Sequence, residues 1–500
     1  MLNPEPPPEA DKVCYIPSQT DSQASTANPR ARENPLALAW RDIRTLFSVL
    51  YLLPKLCYPF LTKNPTDELS LSSQNIWYLG TLISVTGLES LLCLVVLVAV
   101  TLMPGWMSTV IFWGAVWFVW ALCVPIQGPM MVESRVGVNE GDEDGDGGNF
   151  DVRNGERWIF VNGMMVGNRG LKNNCDRLSQ TFGRAITGIH NPTNGLLFDI
   201  IECIFQRSFA YNTYSTRYTY DHLKHCLIDP AVHKVVLIAH SQGGIIASMA
   251  LDLLFTEIPP VNMAKLEVYT FGSAASHFNN PMRVIYPPIF NSPTTPNRRS
   301  KGVIRYIEHY VNGEDIVPRW GVMYNVRSAK TRYAGKVFVR NGATGHMFNQ
   351  HYLENIFPLD RPVPAPPDHA NPAAAPKAFL DQVVSVDDCT CRDRDAYYGK
   401  ATIATTNTNN NNSVAENAVC NGSPVVLVRD DSTSDAGDGG VISVSNGSGF
   451  CADDPDNTDD DDDDDDDSNG AGMTVRELSR LWRYLGGADP DVNGRRPLMN

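Results

Sequence analysis

The sequence predicts an α/β fold: a mostly parallel sheet with helices on both faces, preceded by a transmembrane helical hairpin and followed by a disordered tail. Three observations carry this. Residues 152–358 alternate β-branched runs of strand length with helical patterns. Residues 79–103 and 107–126 are apolar, each near the ~20 residues that a bilayer span needs, and only Pro104, Gly105 and Trp106 part them. Past residue 359 the periodicity stops, and nine consecutive Asp occupy 459–467.

Composition narrows the function classes. The 500-residue chain has a formal charge of -15, yet residues 451–468 hold twelve Asp and no Lys or Arg. The rest therefore carries -15 + 12 = -3, and the acidity says little about a substrate. No basic stripe with interleaved aromatics occurs, which argues against nucleic acid as a partner. The eleven Cys show no zinc-like pairing, and Cys389-Thr-Cys391 stands alone. Mostly reduced thiols, no disulfide framework, no metal and no cofactor are expected.

In chain order, residues 1–35 are rich in Pro, Ser, Asp and Asn and are expected to be disordered. Residues 36–61 set Leu36, Trp40, Ile43, Phe47 and Leu50 at helical spacing, with Arg41 and Arg44 between them. That pattern suits an amphipathic membrane-proximal helix, or one packed on the main domain. The hairpin fills 79–126, with Glu89 inside its first span. Arg41, Arg44, Lys55 and Lys63 precede it and its turn has no Lys or Arg, which predicts a cytoplasmic catalytic domain. An acidic linker, 133–151, leads into the catalytic domain, 152–358. The low-complexity acidic tail, 359–500, is a candidate protein-binding segment. Within it 474–485 reads as a short helix whose Thr474 and Glu477 fit a capping box.

Residues 235–255, "VVLIAHSQGGIIASMALDLLF", break a strand-then-helix pattern with His-Ser-Gln-Gly-Gly. The break fits the elbow G-x-S-x-G, with Ala239 in the first glycine's place. A sharp turn would lift the Ser241 hydroxyl out of the sheet, and small neighbours avoid collision. The N–H of Gln242 would then donate to a developing oxyanion. A nucleophile needs a base and an orienting acid, in the chain order Ser, acid, His. Asp315 follows the strand pattern of 303–312, with Glu314 as the lesser candidate. For the base, His346 lies in a glycine-bearing loop after the last strand and His351 in the next helix; His346 is favoured and His351 is the runner-up. The second oxyanion donor is expected from the loop after "WIFV": Met164 N–H, with Gly163 making room.

These segments resemble the α/β-hydrolase superfamily, and its lipase branch in particular. "VVLIAHSQGG", "VYTFGSAA" and "HYVNGEDIVPRWG" look like the elbow, the following strand and the acid loop of class 3 lipases and related lipase-like serine hydrolases, over about residues 155–357. Ala239 in the elbow, and Asn162-Gly163 where many members have His-Gly, depart from that pattern. The resemblance implies the α/β-hydrolase fold and a membrane-anchored serine esterase without cofactor. Lipid esters are the expected substrate, since the hairpin sets the site beside a bilayer. The alternative is a weak or inactive hydrolase-like scaffold whose acidic tail recruits partners.

Overall fold

The computed structural model describes residues 13–20, 33–60, 62, 64, 67–134, 155–282, 302–327, 333–359, 378–385, 419–420, 423–424 and 473–491. Most of the 133–151 linker, from residue 135 on, and most of the acidic tail lie outside the described residues, while Glu133 ends a strand. Residues 387–472 form a separate unit, whose described part is an antiparallel pair, Val419–Cys420 with Ser423–Pro424. Everything below concerns the main unit.

Nine of its described strands form one mixed sheet. They are β1 (Val13–Ile16), β2 (Met131–Glu133), β3 (Glu156–Val161), β4 (Ile186–Ile189), β5 (Lys234–His240), β6 (Leu266–Phe271), β7 (Tyr306–Asn312), β8 (Lys336–Arg340) and β9 (Val384–Ser385), in the order β2-β4-β3-β5-β6-β7-β8-β1-β9. From β4 to β8 every pair is parallel, while β2 and β1 add antiparallel to β4 and β8. Strands β5 and β6 are buried at every position, as a parallel sheet covered on both faces demands.

The main helices are α1 (Pro35–Val49), α2 (Ser73–Leu102), α3 (Gly105–Cys123), α4 (Asn168–Phe182), α5 (Leu196–Phe209), α6 (Tyr214–Ile228) and α7 (Gln242–Glu257). Helix α4 buries Leu171, Cys175, Leu178 and Phe182, spaced along one stripe, against Trp158, Phe160, Val236 and Ile238 of the sheet. Helix α7 lies on β3 and β5, with α5 and α6 beside it. Helices α2 and α3 pack on each other and are long and apolar enough to cross a membrane, with most of their side chains exposed.

Three sequence boundaries need correction. Residues 1–35 are not wholly without structure: Val13, Cys14, Tyr15 and Ile16 are buried as β1, paired along β8 from Val13–Arg340 to Ile16–Val337. Four residues are too few to show a period, and the edge of β8 supplies the partner. Six described cysteines are free, while Cys14 is disulfide-bonded.

The 359–500 tail likewise returns to the core. Residues 473–491 close the amino-terminal end of the sheet, where Glu156, Lys234 and Lys336 begin their strands and Glu267 and Glu308 lie within the first three residues of theirs. Arg480 Nε donates to Glu267 at 2.9 Å, and its backbone N–H donates to Glu308 at 2.8 Å. Tyr484 donates to Glu267 at 2.9 Å, and Lys234 reaches Asp491 at 2.5 Å. The capping box at Thr474 and Glu477 is present, but the helix it starts is only Val475–Leu478, followed by a 3-10 segment.

Nor is the domain complete at 152–358. Helix α1 buries Asp42, which takes Arg207 of α5 in a two-bonded pair at 3.0 and 3.1 Å. Arg207 also stacks over Trp320, whose indole donates to the Asp42 carbonyl at 3.0 Å. The other side of α1 exposes Leu36, Trp40 and Phe47. The helix is thus docked on the domain and still presents an apolar face.

Breaking a buried ion pair strands its partner and costs about 3–5 kcal/mol, whereas exposed pairs contribute about 0–1 kcal/mol. Asp42→Ala and Arg480→Ala should therefore each lower unfolding free energy by several kcal/mol in denaturant titrations. Lys224→Ala, which breaks an exposed pair with Glu257, should change it far less than either. Equal effects from all three would refute the structural role given to the buried pairs.

Candidate active site

Six parallel strands bring their carboxyl ends to one edge, and the predicted residues stand there. Ser241 follows β5, Asp315 follows β7, His346 follows β8, and Gly163 and Met164 follow β3. The carboxyl edge of such a sheet is where open α/β folds place their ligands.

Ser241 has φ 58° and ψ -123°, a conformation that L-residues rarely hold. An N-capping serine would be extended, with its hydroxyl on the helix N–H groups. This one makes no cap bond. Its Oγ is buried without a partner. The loop after β3 passes so close that a Cβ on Gly163 would stand 2.9 Å from Ser241 Oγ. On the other side of the elbow, a Cβ on Gly243 would collide with the Val161 carbonyl.

The acid and the base are in contact. His346 Nδ1 lies 2.6 Å from Asp315 Oδ2. With a carboxylate there, Nδ1 carries the proton and Nε2 is left as the lone-pair nitrogen. That Nε2 is buried and has no partner. Asp315, wholly buried, also accepts Tyr352 O–H at 2.8 Å and Val317 N–H at 3.0 Å. Burial holds the Tyr352 phenol well above its ordinary range, so it remains a donor.

The alternatives are otherwise engaged. His351 accepts Met347 N–H at 3.0 Å on Nδ1 and faces the Pro59 carbonyl at 3.0 Å with Nε2. Both nitrogens serve a π-helical turn, Phe348–Leu353, rather than the serine. Glu314 pairs with Lys55. His240 stacks on His346 with ring centroids 4.6 Å apart and donates from Nε2 to the His346 carbonyl at 2.9 Å. Burial, then the neighbouring His346, keeps it neutral. Among the described residues no group of His, Cys, Asp and Glu could hold a metal ion.

Two backbone N–H groups, those of Gln242 and Met164, make no hydrogen bond among the described residues. The Gln242 side chain is committed elsewhere: it accepts from Asn191 at 2.8 Å and donates to Glu202 at 2.9 Å and Gln206 at 3.1 Å. The Met164 loop is pinned from outside. Met165, at φ 54°, donates its N–H to Asp199 at 3.2 Å and accepts Tyr78 O–H at 2.7 Å, while Gly167 N–H donates to Tyr78 at 2.6 Å. Tyr78 belongs to α2 of the hairpin. The His346 loop is pinned in the same way, since His346 N–H donates to the Leu56 carbonyl at 2.8 Å and Gly345 N–H to Lys55 at 3.1 Å.

Sequence reasoning missed Tyr352, Tyr78 and residues 55–59, which lie far along the chain from the groups they hold and sit in no motif. No protein-family model matches the chain, and no curated protein is significantly similar to it.

Burial and the nearby Asp199 carboxyl push Glu202 up to about 7, against the lowering effect of the Gln242 bond. A carboxyl raised on folding stabilises fully below its unfolded value, ~4.3. That contribution is lost as pH rises through the folded value. Glu202→Gln should therefore flatten part of the decline in Tm between about pH 4.5 and 7, while Asp199 and Asp67, raised to about 6, and Glu68, raised to about 7, contribute to the remainder. An unaltered Tm profile would refute the assignment.

Proposed function

We propose that this protein is a membrane-anchored serine esterase of the α/β-hydrolase, lipase-like kind, acting on carboxylic esters and on lipid esters in particular. One observation carries the reading. Ser241 Oγ and His346 Nε2 are both buried at the same sheet edge, beside the Asp315–His346 bond, and neither has a hydrogen-bond partner among the described residues. Both are therefore uncommitted, and a bound substrate would draw them into the hydrogen bond through which the proton passes.

In the proposed reaction His346 Nε2 takes the Ser241 proton as Oγ bonds to the ester carbonyl carbon. The carbonyl oxygen becomes an oxyanion held by the N–H groups of Gln242 and Met164. Collapse breaks the ester C–O bond, and His346 returns the proton to the departing alcohol. Water then repeats the sequence on the acyl-Ser241 ester and releases the acid. Asp315 holds Nδ1–H and stabilises the imidazolium without taking the proton.

A fluorophosphonate probe should label wild-type protein at Ser241. Ser241→Ala and His346→Ala should both abolish turnover, since members of such a unit do not act additively. Asp315→Asn should cost about 10⁴-fold in kcat. His351→Ala should lower stability by roughly 1–2 kcal/mol and leave the probe reaction in place. Wild-type protein that neither labels nor hydrolyses esters would leave the scaffold with an acidic interaction tail as the better reading.

For topology, the basic residues before the hairpin support a cytoplasmic domain, while the Cys14 disulfide argues for an oxidising compartment. The cytoplasmic placement is proposed on the charge pattern. Protease added to sealed microsomes should then remove the C-terminal tail without detergent. Glycans on Asn421 or Asn446 would reverse the assignment.

A further inference from the structure

Trp113, Trp117 and Trp120 recur along α3 at spacings that share one face. Phe198, Ile201 and Phe205 do the same on α5. Between these two faces lies a cavity of about 710 Å³, within the ~300–1,000 Å³ range of small-molecule sites. Its charged lining residue is Glu202. Glu202 accepts the Gln242 side chain at 2.9 Å, and Gln242 follows Ser241 in the chain. One end of the cavity therefore sits a single side chain from the elbow. Trp113 is seven residues from Trp120 toward the hairpin turn, a rise of ~10 Å along the helix, on a helix able to cross a membrane. Trp113 and Trp117 are mostly exposed, so the wall they form is open to whatever surrounds that helix.

We propose that this cavity binds one acyl chain of a membrane lipid ester, drawn sideways between α3 and α5, with the ester group at the Glu202–Gln242 end. The proposal rests on the esterase reading and names its substrate class. The distribution of polarity selects the occupant. Indole and phenyl walls offer hydrocarbon the apolar area it needs, and the charged lining residue, Glu202, is the one bonded to Gln242 beside the elbow, where the proposal sets the acyl chain's only polar group. A soluble ester would need polar partners that the α3 wall lacks. Burial and Asp199 push the Glu202 carboxyl up to about 7, toward the uncharged form. This tempers the cost of a carboxyl beside hydrocarbon.

The test uses full-length Ser241→Ala in phosphatidylcholine nanodiscs with a hexadecanoic acid bearing a terminal diazirine. After photolysis, adducts should concentrate on Trp113, Trp117, Ile201 and Phe205, and Ile201→Trp should cut those on α5 at least fivefold. Adducts spread evenly over the exposed residues of α2 and α3, with none on α5, would overturn the proposal. In protein retaining Ser241, Ile201→Trp should lower the kcat/KM ratio of hexadecanoyl to butanoyl p-nitrophenyl ester at least tenfold. Trp117→Ala, which removes volume, should move the preference to longer chains. Unchanged ratios in both variants would also overturn it. If wild-type protein hydrolyses no ester of any length, the esterase reading fails, and the cross-linking pattern alone decides whether the cavity holds an acyl chain.

Discussion

The left-handed conformation of Ser241 is the constraint from which the rest of the site follows. To hold a non-glycine residue at φ 58° costs of order 1–3 kcal/mol, so the surroundings must over-determine it. They do so by crowding. The loop after β3 touches the serine side chain at Gly163, and the first turn of α7 lies against the Val161 carbonyl at Gly243. The Ser241 carbonyl is tied by Gly244 and Ala274 N–H groups at 3.0 Å each, and its N–H by Phe271 at 3.1 Å. With every backbone group engaged, the side chain is the only part left free to react.

The same constraint explains why the N-terminal segments and the hairpin belong to the domain. Loops that must approach a strained elbow cannot be allowed to wander. Tyr78 of α2 fixes the Met164 loop from one side, and Asp199 of α5 from the other. Glu89, which reads in the sequence as a costly charge in a span, is buried and accepts Leu197 N–H at 3.2 Å at the start of α5. That is a helix N-terminus, where a carboxyl group is favoured. The segment after α1 holds the His346 loop through the carbonyls of Lys55 and Leu56. A chain cut before residue 152 would lose these anchors and would leave Arg207 buried without Asp42.

How much of this was legible follows the range of the interactions. Ser241, Asp315 and His346 could be found because each sits beside its own strand, and strand, turn and helix leave local marks in the sequence. The preference for His346 over His351 rested on loop against helix, a local contrast too. Strand β1 and the docking of residues 473–491 could not be found, although the capping box at Thr474 and Glu477 could. Both are short and become ordered only against partners hundreds of residues away, as when Tyr484 seals Glu267. Arg207 and Asp42 were equally invisible, since a buried pair looks like two surface charges until the helices carrying them meet. The α/β class came from periodicity, while the edge strands came from long-range pairing that no window contains.

The burial of the site bears on how a substrate could reach it. Ser241 is 1% exposed and His346 7%, so neither presents a surface to bulk water. His240 and Tyr352 pack against His346, and the loop that carries His346 is pinned by Leu56. Toward α3 the surface is apolar instead: α5 exposes Ile201, Phe205 and Phe209, and on the proposed reading hydrocarbon enters beside them. A water-poor site also strengthens the Asp315–His346 attraction and the pull of two N–H groups on an oxyanion. On the proposed reading, the burial that favours a lipid ester over a soluble one is therefore also what strengthens the chemistry on it.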